Sequence, residues 1–272
     1  MSSTRPLALI TGASSGIGRA FAERLAAEGY DLIVVGRRTS RLEALAASVR
    51  PADVTVVTAD LGTNEGIDVV SELCEREPIS LLINNAGLAH YMPLADLPAG
   101  EARELIGVKV MAPALLTRAV LPGMLRRGAG TILNVAGMLA FSGSAPAAPP
   151  AGQRALYTGA LAAAVATTQT LQAELVGTGV SVHVLCPGIV ATEFHEVQGM
   201  DLSSLPRMSA TDVVTAALAG IDLGEVVIAP GVEDTGVLDA VFDANITAFT
   251  AQSAHLASRY LAATRATEQT PS

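Results

Sequence analysis

The chain has 272 residues, half of them apolar and 16% charged, which is ample for one large core and ordinary for a single α/β domain. A formal net charge of −9 argues against nucleic acid or an anionic membrane as main partner, since both need a basic patch. Two cysteines, Cys74 and Cys186, are too few for a disulfide framework and point to a reducing cytoplasm.

MSSTRPLALITG runs directly into a strand pattern and leaves no room for a signal peptide, and no unbroken apolar run reaches the ~18 residues of a membrane span. LALIT (7–11) is the first predicted strand. It is followed by TGASSGIG (11–18) and a helix carrying Phe21 and Leu25 on one face, stopped at Gly29. DLIVV (31–35) ends in Gly36-Arg37-Arg38. Ser40-Arg-Leu-Glu43 then has capping-box spacing ahead of Leu42, Leu45, Ala46 and Val49. VTVVT (54–58) leads to Asp60, and SLLIN (80–84) leads to NNAG (84–87). A long helical pattern, ELIGVKVMAPALLTRAVLPGM, contains Lys109, the only lysine among seventeen cationic residues. TILNV (131–135) precedes a Pro- and Gly-rich insert at 142–153. In the next helix Tyr157 and Leu161, one turn apart, share a face, and the alanines of 160–166 indicate close packing. VSVHVL (180–185) runs into CPGIVAT (186–192), a mixed, punctuated segment near 193–210 reads as a loop or small lid, and VVIA (226–229) is the last strand.

Seven strands rich in Val, Ile and Leu, alternating with helices, predict a parallel sheet covered on both faces: a Rossmann-like, doubly wound α/β fold. The expected organisation is one domain over residues 1–265, with 266–272 a flexible tail.

Gly12, Gly16 and Gly18 permit a tight turn between strand and helix and a close approach of backbone to a pyrophosphate, with the helix N-terminus facing the anion. Together with NNAG, Asn134-Val135 and CPGIVAT, each after its strand, this order of motifs resembles the short-chain dehydrogenase/reductase family over roughly residues 5–235. The resemblance implies hydride exchange between a nicotinamide dinucleotide and a carbonyl/alcohol pair. It assigns the cofactor to Gly12, Ser14, Ser15, Gly16, Ile17 and Gly18 of the turn. Asp60 and Leu61 would lie near the adenine, Asn85, Ala86 and Gly87 beside the adenosine ribose, and Pro187, Gly188, Ile189 and Thr192 around the nicotinamide. Where NAD enzymes carry an acidic residue after the second strand, this chain has Gly36, then Arg37 and Arg38. A guanidinium suits a 2′-phosphate, so NADP(H) is expected over NAD(H); the alternative is a pair of solvated loop charges.

The family's catalytic set is Asn, Ser, Tyr and Lys, and here Tyr157 alone stands in place. By motif register the serine position is Gly137, the lysine position Leu161 and the asparagine position Lys109. A phenol of pKa ~10 is a poor acid–base group without a nearby cation. Tyr157 and Lys109 are therefore the candidate catalytic residues, with Lys109 either reaching the place of the missing amine from the opposite wall or pointing to solvent. Ser144 stands at the family's serine-to-tyrosine spacing but seven residues beyond the strand-fixed site.

His90 and His195 sit where they would face substrate, with Met138 and Phe194; His183 reads as packing and His255 as part of a C-terminal helix. No His, Cys or acidic cluster has metal-ligand spacing, so no metal is expected. Leu88, His90, Met138, Leu139 and Phe194 make an apolar pocket edge, pointing to an apolar carbonyl compound as small-molecule substrate. Three functions follow: an NADP(H)-dependent oxidoreductase with rebuilt acid–base chemistry; a non-redox cyclase, dehydratase or lyase; or a catalytically silent nucleotide-binding protein. The resemblance also implies a homodimer or homotetramer paired through helices around 100–127 and 155–176.

Overall fold

In the computed structural model, which describes residues 5–145 and 153–260, strand β1 (Leu7–Thr11) is sealed on both faces from Ala8 to Thr11. That is why its sequence is apolar without alternation. It feeds the glycine turn and helix α1 (Gly16–Ala27). The chain continues through β2 (Asp31–Gly36), α2 (Thr39–Ser48), β3 (Val54–Thr58), α3 (Asn64–Arg76) and β4 (Ile79–Asn84). Next come α4 (Ala99–Ile106), a π-helical turn (Gly107–Met111), α5 (Ala112–Arg127), β5 (Gly130–Val135), a 3₁₀ turn (Met138–Phe141), α6 (Ala155–Glu174) and β6 (Val180–Leu185). Then follow β7 (Val190–Ala191), α7 (Phe194–Val197), β8 (Met208–Ser209), α8 (Ala210–Leu223), β9 (Val227–Ile228) and α9 (Gly236–Thr250).

Seven strands form one parallel sheet in the order β3-β2-β1-β4-β5-β6-β9. The chain moves outward from β1 to β3, then returns to β4 on the other side of β1. The topological switch point therefore lies between the C-terminal ends of β1 and β4, where an open α/β sheet forms its ligand crevice. Phe21, Leu25, Leu42 and Leu45 from α1 and α2 pack with Ile10, Val34 and Ile83 of the sheet in the core. A buried polar chain ties the other half together. Asn84 Nδ2 donates to Asn134 Oδ1 at 2.9 Å and to Thr117 Oγ1 at 3.3 Å, and Asn134 Nδ2 donates to Thr168 Oγ1 at 3.0 Å. It fixes β4, β5, α5 and α6 against one another, and two of those elements frame the site.

The helix interruption has a covalent cause. Pro113, in the first turn of α5, has no N–H to offer the carbonyl of Lys109 four residues earlier, and the backbone widens to a π turn there. The helix Ala99–Arg127, 29 residues long, is long and apolar enough to cross a membrane by length and composition. Glu101, Arg103, Glu104, Lys109 and Arg118 interrupt it, which is why the sequence shows no unbroken apolar run there. Its apolarity serves packing, because Leu105, Leu116, Ala119, Val120 and Met124 are buried within the α/β unit.

Several local expectations change. Segment 193–210 is not all loop: β7 and β8 pair in parallel around it, and α7 occupies its start. Ser40 does not cap α2, which begins at Thr39 with Arg38 as its cap residue. His255 lies beyond α9 rather than within a helix. The chain falls into two compact units, one ending at Gly231 and one beginning at Val232. The α/β fold is a single domain within the first unit, and the second holds α9, with Val237, Ile246 and Phe249 exposed. The expected tail at 266–272 and residues 146–152 of the insert lie outside the described residues.

Candidate active site

The glycine turn is built for close backbone contact. Gly12 and Gly16 adopt φ of +69° and +55°, which side chains disfavour. A Cβ on Gly18 would lie 2.4 Å from both Gly12 O and Asn85 Nδ2. Thr11 Oγ1 accepts from the N–H groups of Asn85 and Ala86 at 2.9 and 3.0 Å, and Asn85 Nδ2 donates to Thr11 O at 2.9 Å. The turn after β1 and the NNAG stretch after β4 are thus locked together across the switch point.

A cavity of about 680 Å³ runs from this crevice, within the usual range for a ligand site. Ser14, Ser15, Gly16, Ile17, Arg37, Arg38, Asp60 and Leu61 line one end. Asn85, Ala86, Gly87, Pro187, Gly188, Ile189 and Thr192 line the middle, and Lys109, Tyr157, Met138, Phe194 and His195 the other end. Of the residues expected in the site, Gly18 and His90 are not in the wall. Gly18 lies behind the turn as a packing contact. His90 is drawn away by Glu101, with Nδ1 3.1 Å from its carboxylate, and Tyr91 lines the cavity instead. Ser142 and Ser144 are also outside the wall; Ser142 Oγ accepts from Arg154 Nε at 3.2 Å.

At the arginine end Arg37 is 60% exposed, 3.2 Å from Glu104 and 3.8 Å from Asp60. Arg38 donates to Ser14 Oγ and Ser15 Oγ at 2.9 and 2.7 Å, and also to Glu193. Arg41 reaches the same carboxylate at 2.8 Å. Burial alone would raise the Glu193 pKa, but hydrogen bonds from Arg41, Arg38 and Ser15 outweigh it and hold the carboxyl at about 2. Glu193 was not readable as a site residue, since its partners lie more than 150 positions away.

At the opposite end Lys109, carried on the π turn, points inward and is only 8% exposed. Its Nζ donates to Val135 O at 3.0 Å and lies 3.1 Å from where a Cβ on Gly87 would sit, so that glycine leaves room for the amine. Burial lowers the amine's pKa to about 8, with nearby Cys186 acting in the opposite direction. Tyr157 is 7% exposed and meets Tyr91 edge to face, with ring centroids 5.6 Å apart. Burial first, and the neighbouring Tyr91 phenol second, raise its pKa well above the ordinary tyrosine value. Tyr91 is itself pushed up to about 12 by burial, against the lowering influence of Arg154. His195 packs on Phe194 at 5.3 Å, and burial followed by the Arg207 charge lowers its pKa. An aromatic wall of Tyr157, Tyr91, His195 and Phe194 results. Gly137 and Leu161 also line this end, and a Cβ on Gly137 would lie 3.6 Å from Leu161 Cδ1. Among the described residues no cluster of His, Cys, Asp and Glu has the geometry to hold a metal.

The shape fits an extended dinucleotide: a glycine turn at a helix N-terminus in the middle, arginines at one end, and a buried phenol and amine at the other. Comparison with known proteins agrees. Residues 6–202 match the short chain dehydrogenase family profile. An uncharacterized oxidoreductase of Staphylococcus epidermidis is 30% identical over 232 residues, covering 82% of this chain and 96% of that protein. A short-chain dehydrogenase from Sphingobium yanoikuyae, solved with NADPH, superposes with a TM-score of 0.87 at 33% identity, over 94% of this chain and all of that one. A bulky-bulky ketone specific alcohol dehydrogenase from Comamonas testosteroni gives a TM-score of 0.84 at 30% identity, over 94% of this chain and 98% of its own. The chain belongs to the short-chain dehydrogenase family of oxidoreductases.

Proposed function

We propose that this oxidoreductase reduces an apolar, bulky carbonyl compound with NADPH, using Tyr157 as proton donor and Lys109 as the buried amine that the family's pattern places elsewhere. The observation that carries the reading is Lys109: the only lysine in the chain is buried, faces inward, and lines the same cavity as Tyr157. The cofactor supplies the hydride when bound. The residues that would hold it are the glycine turn, Asp60, Asn85 to Gly87, and Pro187 to Thr192, all in the cavity wall except Gly18 and Ala191, with Arg37 and Arg38 as the groups that would take a 2′-phosphate. A phenol whose pKa is raised holds its proton at neutral pH but is a weaker acid, so donation to a carbonyl oxygen needs positive potential at the same cavity. Lys109 adds positive potential at the same end in its charged form. The aromatic wall supports an apolar ligand, and the ketone-specific relative supports a carbonyl with two large substituents. Cys74 and Cys186, both free and buried, fit a reducing cytoplasm. The groove between α5 and α6, edged by Pro113, Leu121, Ala163 and Thr167, supports pairing of copies.

The test is Lys109→Met. The variant keeps NADPH affinity within about threefold and loses tenfold or more in turnover. Below about pH 8 the wild-type amine is charged and above it is neutral, so wild-type kcat/KM falls as pH rises through about 8. That limb disappears in the variant. Unchanged turnover and an unchanged pH profile would contradict the assignment.

One observation favours the non-redox or silent reading. Leu161 is 1% exposed and packs toward Gly137, so the two positions that carry an amine and a hydroxyl in the family are here filled by carbon or left bare. A substrate mass change with no change in nicotinamide absorbance would support that reading.

A further inference from the structure

The Ser14–Ser15–Arg38–Arg41 corner already holds an anion, the Glu193 carboxylate. All three guanidinium nitrogens of Arg38 are engaged: Nε with Ser14 Oγ at 3.1 Å, Nη2 with Ser14 Oγ and Ser15 Oγ at 2.9 and 2.7 Å, and Nη1 with Glu193 Oε1. Arg41 Nη1 grips both carboxylate oxygens, at 3.0 and 2.8 Å. Two hydroxyls and two guanidiniums are the donor set that suits a phosphate monoester. A phosphate of charge about −1.5 to −2 brought to Arg38 would meet Glu193 on the same guanidinium, and like charges repel.

We propose that Glu193 is a specificity-determining residue for the cofactor: its carboxylate competes with the nucleotide 2′-phosphate for Arg38 and restrains the preference for the phosphorylated dinucleotide. This rests on the NADP(H) reading. Arg37, bound at 3.2 and 3.8 Å to Glu104 and Asp60 and mostly exposed, is the more available of the two arginines. Glu193 also follows Thr192 and precedes Phe194 and His195 of the cavity wall, so the carboxylate ties the start of the substrate segment to the phosphate corner.

The experiment is calorimetric titration of wild type, Glu193→Gln and Glu193→Ala with ADP-ribose and with 2′-phospho-ADP-ribose, neither of which undergoes hydride transfer. Both variants are expected to bind 2′-phospho-ADP-ribose about three- to tenfold tighter than wild type, with ADP-ribose affinity within about twofold. An equal gain for both ligands, or no gain for the phosphorylated one, overturns the proposal. The wild-type ratio alone tests the NADP(H) reading. A wild type without preference for 2′-phospho-ADP-ribose contradicts that reading, and the change from wild type to variant still decides the role of Glu193.

Discussion

The two ends of one cavity have been treated differently by this sequence. One end carries left-handed glycines at the turn, NNAG locked to it through Thr11, and two arginines in the cavity wall. The other end presents the Tyr157 phenol beside Gly137 and Leu161, with the Lys109 amine entering from the π turn between α4 and α5. The difference follows from how each end works. Dinucleotide binding uses backbone groups that only glycine and tight turns provide, so few alternatives exist. A proton donor needs a charge and a hydrogen-bond route, and side chains from more than one wall can supply those.

The largest expected effect breaks the comparison at the catalytic end. Tyr157→Phe removes the donor with little change in volume, and turnover should fall about 10²-fold or more while NADPH affinity stays within about threefold; stopped-flow hydride transfer and fluorescence titration read the two separately. Retained turnover would make the phenol a packing residue. Next, Gly137→Ser restores a hydroxyl where the family has one. Gly137 has φ of 166°, extended backbone open to any residue, and its Cβ would make only ordinary 3.6 Å contacts with Leu161 and Pro187 O. We expect turnover to rise about tenfold, because a donor to the substrate oxygen is regained; a fall would show that the reaction does not pass through that oxygen position. An effect of similar size on binding alone sharpens the arginine end. Arg37→Ala should weaken NADPH about tenfold, or ~1.4 kcal/mol, and leave NADH within about twofold, as measured by titration of nicotinamide emission. The chain has no tryptophan to obscure that signal.

What was legible in the sequence was what depends on neighbours along the chain or on burial of whole strands. All seven sheet strands announced themselves: the inner strands through near-continuous apolar runs buried on both faces, and the edge strand β3 through its β-branched Val and Thr. The glycine turn and CPGIVAT could be placed because they sit at strand ends. The direction of Lys109 was not legible, since a π turn adds a residue and rotates the helix face away from the 3.6-residue period. His90 and Tyr91 fall in irregular chain after NNAG, where no period says which side chain faces the cavity; the Glu101 carboxylate decides it. The capping box at Ser40 met its spacing rule, yet Arg38, held by Ser14, Ser15 and Glu193, starts the helix two residues earlier. Glu193 itself was invisible, because its meaning lies in arginines at the far end of the chain order.

The whole account turns on one side chain, and its uniqueness makes it directly observable. Protein grown with lysine carrying ¹³C at Cε gives one lysine resonance, free of overlap. Followed against pH, it should titrate near 8, where burial holds the amine, and it should shift when NADPH is added. A single titration near ~10.4, the value of a solvated lysine, with no response to NADPH, would put the amine in water and leave Tyr157 without a charged neighbour at its end of the cavity.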